Sequence, residues 1–147
     1  MRVHEIAADL TDEQEALDRL VAPIDDAAWS TGTPSPRWNI TDQVAHLAYF
    51  DHAATTAITN PDRFRSMVDD LMGAAAGGVL AIDEFTLGHY RRLEPRALLA
   101  EWREGRSRQA AAAATLTDDT RVIWYGPSMG ARSFLTARLM EVWAHGQ

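Results

Sequence analysis

Cysteine is absent from all 147 residues, which excludes disulfide bonds, thiolate metal ligands and a cysteine nucleophile. Any thiol chemistry would therefore use a thiol from a second molecule. Lysine is absent as well, so the 14 basic residues are all arginine, and 21 acidic residues outnumber them. The net charge of −7 comes without a basic stripe, which argues against nucleic acid as the main partner.

Long hydrophobic runs are also missing. No stretch approaches the roughly 18–20 apolar residues that cross a bilayer, and the first ten residues, MRVHEIAADL, lack the apolar centre of a signal peptide. A cytoplasmic protein without a membrane partner is therefore expected. Hydrophobic residues make up 46% of the chain and charged residues 24%, which is ordinary for a globular domain. We expect a single domain over residues 1–147.

Apolar residues recur at helical spacing along most of the chain, and no alternating run predicts a convincing strand. The predicted helices cover about 8–23, 40–59, 79–116 and 131–144. Pro61 opens a short accessory helix, and Pro95 kinks or restarts the third long helical region. VIWY, at 122–125, is predicted to be an ordered loop. The pattern predicts an all-α four-helix bundle with long crossover connections and a short accessory helix.

The last predicted helix carries a possible pair of metal ligands. In ARLMEVWAHGQ, at 137–147, Glu141 precedes His145 by four residues, which is about one helical turn. The residues around them are apolar almost all round the helix, so we expect a buried helix and a pair from which water is largely excluded. An ionised glutamate without a partner there would cost several kcal/mol. A metal ion would remove that cost.

The second predicted helix offers a third ligand. In WNITDQVAHLAYFD, His46 lies at the edge of the apolar face. His46, Glu141 and His145 would supply two imidazoles and one carboxylate, which suits Zn²⁺ with a fourth position open to water or substrate. Ni²⁺ and Fe²⁺ are alternatives, because these donors also serve other divalent metals. Asp42, one turn before His46, is predicted to accept the hydrogen bond of its second ring nitrogen.

Structural explanations compete with these assignments. A histidine at a helix edge is more often a hydrogen-bonded boundary residue than a ligand, and Glu-x-x-x-His is often only a solvated pair. Three other histidines are expected at the surface, namely His4, His52 (solvated or paired with Asp51) and His89. Trp102 and Trp143 are expected in the core. The alternating Arg and Glu residues of 91–108 indicate a salt-bridged exposed face rather than an anion site.

Two segments resemble a known family. TPSPRWNITDQVAHLAYFD and WYGPSMGARSFLTARLMEVWAHGQ resemble the actinobacterial DinB-like metal-binding proteins related to the N-terminal domain of mycothiol-dependent maleylpyruvate isomerase. The matching residues of the first segment are Trp38, Asp42, His46, Leu47 and Asp51. Those of the second segment are Trp124, Gly126, Pro127, Met129, Ala137, Arg138, Met140, Glu141, Trp143, Ala144, His145 and Gly146. The layout of the remaining helices also fits, so the resemblance covers essentially the whole chain.

The resemblance implies a DinB-like four-helix bundle with one divalent metal, usually zinc in the isomerase, held by His46, Glu141 and His145. It also implies activation of a low-molecular-weight thiol such as mycothiol, because a metal lowers the pKa of a bound thiol. The thiolate would then add to a small electrophile, for S-transfer or isomerisation. Family members usually continue past HGQ with a second domain, so we expect the metal-binding domain without the usual C-terminal domain.

The sequence therefore favours an enzyme, a metal-dependent thiol transferase or isomerase with a small-molecule substrate. One alternative is a metal-dependent hydrolase or cyclase-type enzyme of secondary metabolism that uses no thiol. Another is a non-catalytic metal-binding or dimerisation bundle, since apolar helix faces are compatible with a homodimer. Structural zinc sites usually have four protein ligands, and only three are found here, which favours catalysis. Candidate pocket residues are Tyr49, Phe50, Trp124, Tyr125 and Arg138, the last meeting either a substrate carboxylate or a structural partner.

Overall fold

The computed structural model describes residues 1–147. It contains six α-helices: α1 (Val3–Val21), α2 (Ile40–Thr59), α3 (Pro61–Ala75), α4 (Val79–Arg91), α5 (Pro95–Ala113) and α6 (Ala131–His145). A 3-10 helix, Asp26–Ser30, interrupts the connection between α1 and α2. Two short strands, β1 (Arg121–Val122) and β2 (Met129–Gly130), pair in an antiparallel manner before α6. None of the helices combines the length and hydropathy that a membrane span requires.

Four of the helices form the bundle. Helix α2 packs mainly against α5, and α1 packs mainly against α6, while contacts of α1 with α5 and of α2 with α6 join the two pairs. Helices α3 and α4 pack against each other and against α2. The largest completely buried side chains include Trp102, Phe64 and Phe134, and each contributes roughly 1.5–3 kcal/mol or more through burial. The prediction of a four-helix bundle is confirmed, as is the core position of Trp102.

Local signals set the ends of the helices. The Asn39 side chain accepts a hydrogen bond from the Asp42 backbone N–H at 2.9 Å, and the Asp42 carboxylate accepts one from the Asn39 N–H at 3.2 Å. This reciprocal capping box begins α2, and the predicted range of 40–59 matches the structure. Pro61 and Pro95 occupy the first turns of α3 and α5, where proline is favoured because its missing N–H would have no partner in the helix.

The structure refines the sequence prediction in two segments. The accessory helix that Pro61 opens is α3, which has 15 residues. The helical region predicted at 79–116 is divided into α4 and α5, and because α5 begins at Pro95, the predicted restart at this proline is confirmed. The predicted loop at VIWY was wrong for its first residue, since Val122 pairs with Met129. Gly126 lies in the turn between these strands with φ at +122°, a conformation that side chains with a Cβ rarely adopt. A two-residue strand leaves no alternating pattern in the sequence.

Candidate metal centre

Helices α2 and α6 bring His46, Glu141 and His145 together. His46 Nε2 and His145 Nε2 each lie 3.2 Å from Glu141 Oε2, and one ligand atom from each of the three residues lies within 4.8 Å of the others. In a tetrahedral zinc site with bonds of 2.0–2.1 Å, two ligand atoms are about 3.3 Å apart. Two of the three separations therefore already match those around a bound ion. The three donors suit a divalent metal with at least one open position.

A chain of hydrogen bonds fixes which nitrogen of His145 carries the proton. The Thr33 hydroxyl donates to the Trp38 carbonyl at 2.8 Å, so it accepts from the Gln43 amide nitrogen at 3.0 Å. The Gln43 amide oxygen consequently faces His145 Nδ1, at 2.6 Å. An amide oxygen can only accept, so Nδ1 carries the hydrogen. In this neutral tautomer the Nε2 lone pair points at Glu141. A histidine that binds a metal through Nε2 has the same tautomer.

The arrangement of His145 and Glu141 leaves two acceptors facing each other. The His145 Nε2 lone pair and the Glu141 carboxylate oxygen, 3.2 Å apart, cannot form a hydrogen bond without an added proton. Burial and the neighbouring His46 lower the pKa of His145, which disfavours that proton at neutral pH. A hydrogen bond from His46 lowers the pKa of Glu141 to about 2, so the carboxylate is ionised. A cation between these atoms would relieve the repulsion of the lone pairs.

Aromatic side chains hold the two imidazole rings. The Trp38 ring lies with its centroid 5.0 Å from that of His46 and 5.8 Å from that of His145, and Phe50 packs against His46 at 4.8 Å. The two imidazole centroids are 4.3 Å apart. Such packing restricts rotation of the rings, so the nitrogen atoms keep their directions without an ion.

The centre lies closer to solvent than the sequence indicated. The Glu141 side chain is 44% exposed, whereas those of His46 and His145 are 15% and 22% exposed. The expectation of a buried last helix was wrong, because α1 and α2 cover only one side of α6. Trp143 and Met140 on the other side are 57% and 62% exposed, so the predicted core position of Trp143 was also wrong. Water and small molecules can reach the open side of Glu141.

Asp42 has a different role from the predicted one. Its Oδ1 accepts a hydrogen bond from Arg91 Nε at 2.7 Å, and its Oδ2 accepts from the backbone N–H of Asn39. Both oxygens are thus engaged at the start of α2, where the carboxylate caps the helix and ties it to α4. The prediction that Asp42 orients His46 is corrected. The polar residue that orients a histidine here is Gln43, which binds His145.

A cleft of about 160 Å³ opens beside the centre. His46, Glu141 and Ala137 line it, together with Phe50, Trp124, Tyr125 and Arg138. Four of the five candidate pocket residues therefore line this cleft. Tyr49 is not among the lining residues, and its ring packs edge-on against Phe50 and Phe85 instead. Trp124 and Tyr125 lie in the segment between the two short strands, separated by one residue from the end of β1.

Arg138 has a buried structural partner. Its Nη2 donates to Asp51 Oδ1 at 3.0 Å, and the two side chains are 3% and 0% exposed. Gln109 and Gln14 also donate to the Asp51 carboxylate, at 3.1 and 3.4 Å. Burial raises the pKa of Asp51, while Arg138 and Gln109 act in the opposite direction. The sequence had suggested His52 as a partner of Asp51, but adjacent residues of a helix point to different sides.

Sequence reasoning missed Gln43 and the contacts of Trp38 with both histidines. Gln43 precedes His46 by three residues on α2, so it shares a helix face with a proposed ligand. That spacing was a usable signal, whereas the preference for carboxylates as partners of metal-binding histidines pointed to Asp42. The sequence indicated Trp38 only as one of the residues that match the family.

Replacing Gln43 tests its role directly. Gln43→Leu removes the acceptor of the His145 Nδ1 hydrogen, so we expect the affinity for zinc to fall about 10- to 100-fold. Gln43→Glu keeps an acceptor at this position and should lose much less affinity. Competition with a chromophoric chelator measures both values. Equal affinities for Gln43→Leu and the wild type would show that Gln43 does not orient His145.

Comparison with known proteins gives consistent results. The sequence profile described as "Mycothiol maleylpyruvate isomerase N-terminal domain" matches residues 10–147. Uncharacterised proteins from two strains of Mycobacterium tuberculosis are 38% identical over 139 residues, which is 95% of this chain and 52% of theirs. The chain thus spans about half the length of these curated relatives.

Two solved structures have a similar fold. They are crystal structures of mycothiol-dependent maleylpyruvate isomerase and of a single-residue mutant of it. Both align with a TM-score of 0.73 over 99% of this chain and 60% of the isomerase chain, at 17% and 18% sequence identity. At this identity the likeness establishes a shared fold, which agrees with the DinB-like bundle implied by the sequence resemblance.

Proposed function

Because the chain belongs to the family of the mycothiol maleylpyruvate isomerase N-terminal domain, we propose that it is a metal-dependent enzyme that uses a low-molecular-weight thiol. The metal is one divalent ion, with Zn²⁺ best suited to two imidazoles and a carboxylate. The reaction is S-transfer to, or isomerisation of, a small electrophile. The related isomerase is mycothiol-dependent, so a mycothiol-like thiol is the first choice. The proposal places the protein in the cytoplasm, where thiols are kept reduced.

The observation that carries this proposal is the pair of acceptors at His145 and Glu141. His145 Nε2 faces Glu141 Oε2 at 3.2 Å while Gln43 holds the ring hydrogen on Nδ1. Histidines that bind a metal almost always donate their other ring N–H to a fixed acceptor, as His145 does to Gln43. Three protein donors leave part of the coordination sphere free, which is typical of catalytic rather than structural zinc sites.

The residues around the centre suit a reaction between two small molecules. A divalent ion held by His46, Glu141 and His145 would lower the pKa of a bound thiol enough to deprotonate it at neutral pH. Gln43 and Trp38 hold the histidine rings in place. Phe50, Trp124 and Tyr125 line the adjoining cleft and provide apolar surface for the electrophile. The chain has no cysteine of its own, so the sulfur nucleophile comes from the cosubstrate.

The exposed side of Glu141 favours one alternative function. With 44% of this side chain exposed, water can reach the metal centre and serve as the nucleophile or base. A metal-dependent hydrolase or a cyclase-type enzyme would need no thiol. Omission of the thiol therefore separates the two functions.

The experiment follows conjugation of a thiol to a chromogenic electrophile by the zinc-loaded protein. Mycothiol and cysteine serve as thiols, and 1-chloro-2,4-dinitrobenzene serves as the electrophile. We expect the conjugation rate to saturate with increasing thiol concentration. His46→Ala should lower this rate at least about 100-fold, because replacing residues outside the metal ligands already lowers activity 10- to 100-fold. His52→Ala, an exposed histidine of the same helix, is the matched control and should keep the wild-type rate.

Two results would contradict the proposal. Turnover of ester or amide substrates without any thiol would instead support the hydrolase. Equal rates for wild type and His46→Ala would show that the activity does not depend on the metal centre.

A further inference from the structure

A second cavity, of about 520 Å³, lies between the end of α1, the start of α2 and the end of α6. Aliphatic side chains form most of its wall, including Leu17, Leu20, Val21, Val44 and Leu47. We call it the apolar cavity. It shares no lining residue with the 160 Å³ cleft beside the metal centre. Small-molecule sites in proteins usually enclose roughly 300–1,000 Å³ and have mainly apolar walls, so the apolar cavity has the size and lining of such a site.

The apolar cavity has no charged wall. No arginine, aspartate or glutamate side chain lines it, although the chain has 14 basic and 21 acidic residues. Two other cavities, of about 440 and 660 Å³, are lined by charged side chains such as Arg108 and Asp42. A charged ligand in the apolar cavity would lose its water without gaining a countercharge, which is costly. The lining therefore favours an uncharged ligand.

Polar side chains at one end of the apolar cavity bind one another. Gln43 Nε2 donates to the hydroxyl oxygens of Thr33 and Ser35, at 3.0 and 3.2 Å, and Gln43 Oε1 accepts from His145 Nδ1. The Thr33 hydroxyl hydrogen is used by the Trp38 carbonyl. The Ser35 hydroxyl only accepts, so its own hydrogen remains for an oxygen atom of a ligand. All other polar groups of this cluster are already engaged.

We infer that the apolar cavity binds an uncharged, mainly aliphatic small molecule that has a carbonyl or hydroxyl oxygen at the end near Ser35. Such a ligand would cover Leu20, which lines the cavity and is 63% exposed, and burial of apolar surface drives binding. The inference goes beyond the proposed function, because this site is separate from the cleft assigned to the electrophile.

Nuclear magnetic resonance of the full chain can follow binding at the methyl groups of Leu17, Val44 and Leu47, which line the cavity and are at most 8% exposed. The probes are 2-octanone, which is uncharged, and octanoate, which has the same number of carbon atoms and is ionised at neutral pH. A chelator first removes any metal ion that a carboxylate could bind. We expect 2-octanone to shift the methyl resonances in a saturable manner. Octanoate should bind at least about 10-fold more weakly, because the wall offers no countercharge.

Variants of two exposed leucines show whether the probe lies in the apolar cavity. Leu20 lines the cavity, whereas Leu80 of α4 is 70% exposed and is not among the lining residues. Leu20→Gln should weaken binding of 2-octanone at least about 3-fold through the loss of apolar contact. Leu80→Gln is the matched control and should bind it as the wild type does. Ser35→Ala removes the hydroxyl donor, so we expect about 3- to 10-fold weaker binding of 2-octanone.

Several results would overturn the inference. They are octanoate binding as tightly as 2-octanone, equal binding by Leu20→Gln and Leu80→Gln, and equal binding by Ser35→Ala and wild type. Methyl resonances that change on dilution of the protein without any probe would show that a second copy of the chain covers the cavity, which also contradicts the inference. Because no metal or thiol takes part, failure of the proposed reaction leaves a positive result unaffected.

Discussion

His46→Ala, Glu141→Ala and His145→Ala each lose the one equivalent of zinc that we expect the wild-type protein to retain after gel filtration. Elemental mass spectrometry of the purified proteins measures this content. Each substitution removes one of three donors that lie within 4.8 Å of one another, and two remaining donors cannot replace it. Replacing a residue that only contacts a ligand weakens metal binding 10- to 100-fold, so replacing a ligand itself should weaken zinc binding by more than about 100-fold.

Two surface histidines supply the controls. His52 and His89 lie away from the three candidate ligands, so His52→Ala and His89→Ala should keep the full zinc content. If wild type neither retains nor takes up a divalent metal, or if the three variants keep it, the metal centre is refuted. Glu141 and the two histidines would then only stabilise one another.

Thermal unfolding gives an independent measurement of the same site. A ligand that binds only the folded state stabilises it by about 2.7 kcal/mol at 100 times its dissociation constant. Zinc should therefore raise the Tm of wild type and of His52→Ala, and leave that of His46→Ala unchanged. A rise that is equal in all three proteins would indicate zinc binding elsewhere.

The candidate ligands could be predicted from sequence because their pattern is local. Glu141 and His145 are one turn apart on one helix, and His46 lies at the edge of the apolar face of a second. The resemblance to a known family implies the same three residues. The same is true of helix ends, where Asn39, Pro61 and Pro95 act within a few residues. Local features of this kind are fixed by the chain itself.

Features that depend on distant residues could not be predicted. Gln43 contacts His145 across 102 positions, and Arg91 binds Asp42 across 49. The spacing of the second helix places both Asp42 and Gln43 about one turn before His46. The carboxylate of Asp42 was preferred over the amide of Gln43 because carboxylates often bind the second nitrogen of a metal-binding histidine. The prediction that α6 is buried was wrong for a related reason. Its apolar residues lie on all sides, and only the packing of α1 and α2 determines which side is covered.

Asp51→Ala is expected to have the largest effect on stability, with a loss of about 3–5 kcal/mol in the free energy of unfolding. Asp51 is completely buried and accepts hydrogen bonds from Arg138 and Gln109. Its removal leaves the Arg138 cation buried without a counterion. Urea denaturation measures the change. As a control, Asp62→Ala breaks a pair with Arg65 in which both side chains are more than half exposed, and it should change stability little.

Removing both charges separates the cost of an unpaired charge from the value of the pair. In Asp51→Leu/Arg138→Met, apolar side chains replace a buried ion pair, a change that is often close to neutral. We therefore expect the double variant to recover most of the stability lost in Asp51→Ala. If the double variant is as unstable as Asp51→Ala, the loss of stability comes mainly from the broken hydrogen bonds of the network and not from the unpaired cation.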